Sequence, residues 1–166
     1  SVDGGATWLD ISIGPVRGVV AAFANDPADP ATVYAGTSNG VFVTPDGGAT
    51  WTHINGPGDI LALAVHPASG KIYVGAFGFG LWKTTDRGNT WIRLDNLAQE
   101  YVNAIATHPT EAGVVYAGTQ QGVFKSTDGG ETWTPLTGLV ENEPIETLAL
   151  DPTNPETLYA AGSILF

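Results

Sequence analysis

The chain contains no cysteine. Disulfides, thiolate metal sites, iron–sulfur clusters and thiol catalysis are therefore excluded. Methionine is missing too, position 1 included. That predicts a processed form, an excised piece or the ordered part of something larger. Basic residues are scarce: six lysines and arginines stand against 17 acids, for a formal charge of −11, and Arg17, Lys71, Lys83, Arg87, Arg93 and Lys125 are scattered singly. A protein that neutralises phosphates needs a basic stripe, so nucleic acid is not an expected partner, nor is an anionic membrane surface. The acidity reads as a well-solvated exterior. Long apolar runs are missing as well. The longest, Val19–Ala24 and Ile60–Val65, have six residues each, too few for a transmembrane helix or a signal peptide in the chain as given. The scarcity of cysteine and methionine fits an extracellular or periplasmic protein.

Glycine and proline are plentiful, at 22 and 11 of 166 residues, which points to a turn-rich β protein. An apolar fraction of 43% is ordinary. A chain of this length makes one domain and buries roughly 70% of its unfolded surface. Internal repetition dominates the pattern. One octapeptide recurs four times: Ser1-Val-Asp-Gly-Gly-Ala-Thr-Trp8, Thr44-Pro-Asp-Gly-Gly-Ala-Thr-Trp51, Thr84-Thr-Asp-Arg-Gly-Asn-Thr-Trp91 and Ser126-Thr-Asp-Gly-Gly-Glu-Thr-Trp133, at spacings of 43, 40 and 42. Between the copies an apolar run ends in Asp26-Pro27, His66-Pro67, His108-Pro109 or Asp151-Pro152, and a tyrosine follows: Tyr34, Tyr73, Tyr116, Tyr159. A Gly-rich turn then leads to an apolar–aromatic pair: Val41-Phe42, Leu81-Trp82, Val123-Phe124, Leu165-Phe166. Each repeat reads as four short strands rich in β-branched and aromatic residues. In the first they are about Val19–Asn25, Thr32–Gly36, Val41–Thr44 and Thr50–Ile54. A four-stranded unit of this length is the size of a propeller blade.

The octapeptide resembles the Asp-box, or BNR repeat, Ser/Thr-x-Asp-x-Gly-x-Thr-Trp, and all four copies fit it. The resemblance implies an all-β propeller. It does not single out an activity, because sialidases, xyloglucanase-like glycosidases, sorting-receptor ectodomains and photosystem-assembly factors carry such boxes. It also places the boxes on the face away from the ligand. Physically, Asp3, Asp46, Asp86 and Asp128 can accept backbone N–H bonds across the turn, and Gly5, Gly48, Gly88 and Gly130 supply unusual backbone conformations. Trp8, Trp51, Trp91 and Trp133 are large enough to fill the gap between blades. A structural role is thus expected for all eight aspartates and tryptophans.

The fourth repeat has first and second strands at Glu146–Leu150 and Thr157–Ala161 and a third at Ile164–Phe166. The box and strand it lacks are those of Ser1–Ile11. The expectation is a four-bladed propeller of four-stranded antiparallel blades, its ring closed by N- and C-terminal strands in one shared blade: about 18–54, 60–94, 102–136, and 145–166 with 1–11. Closure removes exposed edges, and would pack Trp8 in the blade of Tyr159 and Phe166.

Catalytic candidates fare poorly. The arginine triad that sialidases use cannot be built, since Arg87 lies in a box and Arg93 follows that box's tryptophan, leaving Arg17. A xyloglucanase-type enzyme needs two carboxylates about 5–9.5 Å apart; Asp59, Asp95, Glu100, Glu141, Glu143 and Glu146 lie in connectors on one face, but one ring offers no second wall for a cleft. His66 and His108 share the turn position of Asp26 and Asp151, so a common turn-capping role is expected, and His53 is expected in a connector. No histidine pair has metal-ligand spacing, and the Asn25–Asp29 turn reads as an ordinary turn. No catalytic residue, metal or cofactor is assigned.

Differences between repeats carry the binding argument. The first-strand column Ala21, Leu61, Asn103, Glu146 turns polar at Asn103 and Glu146, either to hold water, an ion or a ligand at the channel mouth or merely to line a hydrated channel. The turn after the second strand is Gly36-Thr-Ser-Asn-Gly40 or Gly118-Thr-Gln-Gln-Gly122 in two repeats, but Gly75-Ala-Phe-Gly-Phe-Gly80 in another. Phe77 and Phe79 are there either a stacking platform for sugars or a partner protein, or a plug folded over the channel. The candidate ligand face gathers Phe77, Phe79, Asn39, Gln120 and Gln121 beside Arg17, Asp59, Glu100 and Tyr101. Three functions stay open: a non-enzymatic binding or assembly scaffold for a glycan or protein, a domain or fragment of a glycoside hydrolase, and a structural subunit of an extracellular assembly. The oligomeric state is not fixed by the sequence.

Overall fold

A computed structural model describes residues 1, 3–8, 18–97, 101–138 and 143–162. Among them are fourteen strands and one 3₁₀ turn at Asp95–Leu97. The first sheet is β1 (Val20–Asp26), β2 (Asp29–Thr37), β3 (Gly40–Thr44) and β4 (Thr52–Ile54). The second is β5 (Ile60–Val65), β6 (Ile72–Ala76), β7 (Gly80–Thr84) and β8 (Ile92–Leu94). The third is β9 (Val102–Thr107), β10 (Val115–Thr119), β11 (Gly122–Ser126) and β12 (Thr134–Pro135), and β13 (Ile145–Leu150) pairs with β14 (Leu158–Gly162). Every pairing is antiparallel, and strands neighbour in chain order. His53 lies within β4 rather than in a connector, where its ring sits 4.9 Å from that of Phe42.

The octapeptide turns repeat one hydrogen-bond pattern. In the second copy Thr50 donates its N–H to Asp46 Oδ1 at 2.8 Å and its hydroxyl to Oδ2 at 2.6 Å. Thr44 donates its hydroxyl to Asp46 Oδ1 and accepts from the Gly48 N–H. Asp3, Asp86 and Asp128 make the same bonds with Thr7, Thr90 and Thr132. A carboxylate that accepts three bonds holds its charge more firmly. Hydrogen bonds from Thr50 and Thr44 keep Asp46 at about 2, and Asp3 and Asp86 are lowered to the same value by equivalent partners. The other recurrent turn also behaves as expected. Asp26 Oδ1 accepts the Ala28 N–H, His66 Nδ1 the Ala68 N–H, His108 Nδ1 those of Thr110 and Glu111, and Asp151 Oδ1 those of Thr153 and Asn154.

Consecutive sheets meet in three joints built alike, with β1 packed on β5, β5 on β9 and β9 on β13. A glycine in each second strand lets the next first strand approach. A Cβ on Gly36 would lie 2.5 Å from Ile60 Cγ2, one on Gly75 2.3 Å from the Val102 carbonyl oxygen, and one on Gly118 2.7 Å from Ile145 Cγ2. Beside it a tyrosine is buried: Tyr34, Tyr73, Tyr116. Tyr73 donates to the Gly129 carbonyl in the next octapeptide, and burial, then Glu131 and Asp128, push it up to about 12. Polar bridges cross too. Lys83 reaches Glu131 and the Gly129 carbonyl, His66 Nε2 donates to the Glu111 carbonyl at 3.0 Å, and Asn103 Nδ2 to the Ile145 carbonyl at 3.2 Å.

The expected closure is not found among the described residues. No such packing joins β13 to β1. Trp8 is 82% exposed instead of filling a gap, and Tyr159 is 60% exposed where its three counterparts are buried. Trp91 and Trp133 do pack against the cores of the first and second joints, as expected. The strand expected at Ile164–Phe166, and the Leu9–Ile11 part of the closing strand, lie outside the described residues. No helix is long and apolar enough to cross a membrane among the described residues.

Candidate functional site

Each first strand is bulged at one residue. The pairing with the second strand slips at Ala21, Leu61, Asn103 and Glu146, the very column that turns polar in the sequence. A bulge leaves its residue outside the ladder and re-aims it, so these four side chains differ freely while the sheets stay uniform. Asn103 spends its amide on the Ile145 carbonyl, as a bridge between blades, and Glu146 is exposed.

At this end of the sheets a cleft of about 430 Å³ opens between the first two blades, lined by Val19, Ala21, Ser38, Asp59, Ile60, Leu61 and Phe77. Asp59 is its keystone. Its N–H donates to the Ser38 carbonyl at 3.0 Å, and its own carbonyl accepts the Phe77 N–H at 2.9 Å. Its φ is +50°, in the left-handed region. Strain of that kind costs about 1–3 kcal/mol and persists only where surrounding structure imposes it. The connector is therefore clamped between the turns after β2 and β6, with the carboxylate beside an apolar wall. Val19 N–H donates to Ser38 Oγ and closes the other side.

Phe77 and Phe79 are 55% and 52% exposed, so neither is a buried plug. Phe77 stacks on Tyr101 with centroids 4.8 Å apart and planes tilted by 44°. The turn differs for a physical reason. In the first and third blades Thr37 and Thr119 hold their turns by hydrogen bonds to Gly40 and Asn39, and to Gly122 and Gln121. Ala76 stands at that register position in the second blade and has no hydroxyl to hold its turn, while the Phe77 N–H bonds the Asp59 carbonyl just as the Ser38 N–H bonds the Val19 carbonyl in the first blade. That missing threonine is the sequence signal that the turn after β6 is built differently. Val19 and Ser38 were not anticipated as lining residues.

The structure thus brings together Phe77, Asp59 and Tyr101. Asn39 occupies the neighbouring turn, its carbonyl 3.2 Å from His53 Nε2. Gln120 and Gln121 form the corresponding exposed turn of the third blade and do not line the cleft. Arg17 and Glu100 lie outside the described residues.

One side-chain group has the spacing of a metal site among the described residues: His108, Glu111 and Glu156, whose ligand atoms fall within 4.8 Å of one another. The donor set does not fit. Nδ1 of His108 accepts two backbone N–H bonds, so its lone pair is used and Nε2 carries the proton. That nitrogen is buried and lies 4.0 Å from Glu111 Oε1, a proton donor aimed at carboxylates rather than a cation ligand. In the Asn25–Asp29 turn the acids are engaged locally: Asp26 lies 3.8 Å from Arg87 and Asp29 accepts from Thr32.

No family model matches the chain, and no curated protein matches it. Solved structures do. An ancestral GH74 enzyme is similar over 86% of this chain and 22% of its own, at 24% identity and a TM-score of 0.76. The GH74 xyloglucanase from Xanthomonas campestris is similar over 78% of this chain and 25% of its own, at 20% identity and a TM-score of 0.67. YCF48 bound to a D1 peptide is similar over 84% of this chain and 46% of its own, at 19% identity and a TM-score of 0.64. The chain spans about a quarter of the GH74 chains and under half of YCF48. These likenesses show the fold: an all-β, propeller-type series of antiparallel blades.

Proposed function

We propose that the chain is an Asp-box propeller array serving as a non-enzymatic binding or assembly scaffold, exported, with a glycan or partner protein held on the face opposite the octapeptide turns. The observation that carries this reading is the exposed aromatic group at the cleft mouth. Phe77 and Tyr101 offer apolar area with little side-chain entropy to lose, and Asp59 adds a carboxylate beside it to orient hydroxyl or amide donors. The four identical hydrogen-bond patterns of the octapeptides support a structural role for Asp3, Asp46, Asp86 and Asp128. Glycan-array and peptide-array binding of the unmodified chain, compared with a Phe77→Ala, Phe79→Ala double variant, tests the proposal. Binding is expected to vanish while the melting temperature holds, because exposed turn residues contribute little to stability. Retained binding by the double variant refutes the site.

A second reading is a portion of a glycoside hydrolase, favoured by the likeness to GH74 enzymes over most of this chain. It places Asp59 and Glu146 among the acids of one face. Hydrolysis of a xyloglucan oligosaccharide by the 166-residue chain would establish it, and glycan binding without turnover would favour the scaffold.

A further inference from the structure

We infer that the cleft between the first two blades takes an arginine side chain, presented by a basic segment of a partner protein. The inference rests on the reading of this cleft as a binding site and adds the chemistry of what it holds. It starts from the polar groups at the mouth. The Ser38 N–H donates to the Val19 carbonyl at 3.1 Å, the Asp59 N–H to the Ser38 carbonyl at 3.0 Å, and the Phe77 N–H to the Asp59 carbonyl at 2.9 Å. The Val19 N–H donates to Ser38 Oγ at 3.2 Å. Each of these groups is spent within the protein. The Asp59 carboxylate is not. It is exposed, and among the described residues it accepts no hydrogen bond and pairs with no base. An ionised carboxylate only accepts, so the ligand must bring the donors.

The rest of the wall is apolar: Val19, Ala21, Ile60, Leu61 and Phe77. A glycan carries hydroxyls around each ring, and a wall with so few open polar groups leaves most of them unpaired on burial. Arginine has the opposite distribution. Its stem lies along apolar surface, and its donors gather in one planar head. That head pairs a carboxylate through two parallel bonds and stacks on an aromatic face. Phe77 offers such a face on the same cleft, half exposed and backed by Tyr101. The volume of about 430 Å³ leaves room for the backbone that carries the arginine.

The distribution of charge agrees. Each described base lies in or against an octapeptide. Lys83 reaches the Gly129 carbonyl and Glu131, and Arg87 stands within the third copy beside Asp26. Arg93 shares a groove with Gly130 and Glu131, Lys71 Nζ would lie 3.0 Å from a Cβ on Gly129, and Lys125 directly precedes Ser126. At the cleft end Asp59, Glu143 and Glu146 are exposed, with no base beside them among the described residues. A chain of charge −11 that keeps its bases at the other end draws a cationic segment to this one.

The probe is a short capped peptide with one arginine between two leucines. Its control carries citrulline, which keeps the shape and loses the charge. Binding to the 166-residue chain is read by fluorescence anisotropy at low and high salt. The arginine peptide is expected to bind roughly 10- to 100-fold more tightly than the control, the worth of hydrogen bonds to a charged group, and to weaken as salt rises. Asparagine tolerates the left-handed backbone of Asp59, so Asp59→Asn is expected to erase the preference for arginine while the melting temperature holds. Should that variant fail to fold, the two peptides on the unmodified chain decide. Equal binding of both peptides, or a preference that survives Asp59→Asn, overturns the inference. If Phe77→Ala then abolishes that indifferent binding, or if a glycan binds and neither peptide does, the cleft stands as a binding site and only the arginine is refuted. If neither peptide nor glycan binds, the site falls with it.

Discussion

Gly75→Ala probes the blade joint most directly. The backbone at Gly75 is not left-handed, so alanine meets no conformational penalty there. What it meets is the Val102 carbonyl oxygen at 2.3 Å, with Val102 Cβ at 2.9 Å and Cγ1 at 3.0 Å. Ordinary contact needs about an ångström more, and the obstacle is backbone, which no rotamer change moves. Strand β9 must retreat, and a gap of half to one ångström forfeits a quarter to a half of each contact it opens. That gap falls in a core containing Tyr73, Leu81, Leu94, Val102 and Val115. Overpacking of this kind costs about 1–3 kcal/mol, and backbone obstruction puts Gly75 at the upper end. Alanine returns up to about 1 kcal/mol by restricting the unfolded chain. The net of about 2 kcal/mol lowers the melting temperature of a chain this size by roughly 4–8 °C.

Gly118→Ala supplies the comparison. Its nearest obstacle is Ile145 Cγ2 at 2.7 Å, a side-chain atom. The second change Ile145→Ala should relieve that clash and give a coupling of about 1 kcal/mol in a double-mutant cycle. Val102→Ala should not rescue Gly75→Ala, because the carbonyl stays. The assay is urea unfolding of the two cycles. A Gly75→Ala variant as stable as the unmodified chain, or rescued by Val102→Ala, would refute the reasoning.

Thr44→Val removes a buried hydroxyl that accepts the Gly48 N–H at 2.8 Å; leaving that donor unpaired should cost about 1–3 kcal/mol, read by urea unfolding. Acid should destabilise the fold in two stages. Burial lowers His66 below its ordinary 6.5, so the unfolded chain binds more protons and stability falls as pH drops below about 6.5; His66→Gln should lose less between pH 7 and 5 than the unmodified chain. Asp3, Asp46 and Asp86, held at about 2 against an ordinary 3.8, contribute stability that is full above about pH 4 and lost as pH falls through 2, which circular dichroism from pH 5 to 1.5 would follow.

The octapeptide was legible in sequence because its chemistry is local. Asp46, Thr50, Thr44 and Gly48 lie within seven residues, and their bonds form whatever the blades do next. The capping at Asp26, His66, His108 and Asp151 was legible for the same reason, as a side chain reaching two or three residues ahead. Closure rests on the terminal strands expected at Leu9–Ile11 and Ile164–Phe166, outside the described residues. It depends on how far each joint turns, which is set by pairs such as Gly75 and Val102 that are distant in sequence and alike in every repeat. Four boxes count blades, but a count carries no angle.

The two faces diverge because their demands differ. On the octapeptide face every turn must satisfy the same buried donors, such as the Gly48, Gly88 and Gly130 N–H groups, so substitution there leaves a polar atom stranded. On the opposite face the bulges at Ala21, Leu61, Asn103 and Glu146 lift one residue per blade out of the ladder, and the turns need only a threonine hydroxyl or a substitute for it. Where Ala76 stands in place of threonine, the turn lacks those hydroxyl bonds, and two phenylalanines stand in solvent beside a strained aspartate. Uniform packing on one side thus leaves the other side free to vary residue by residue, and the place where it varies most is the place where the cleft opens.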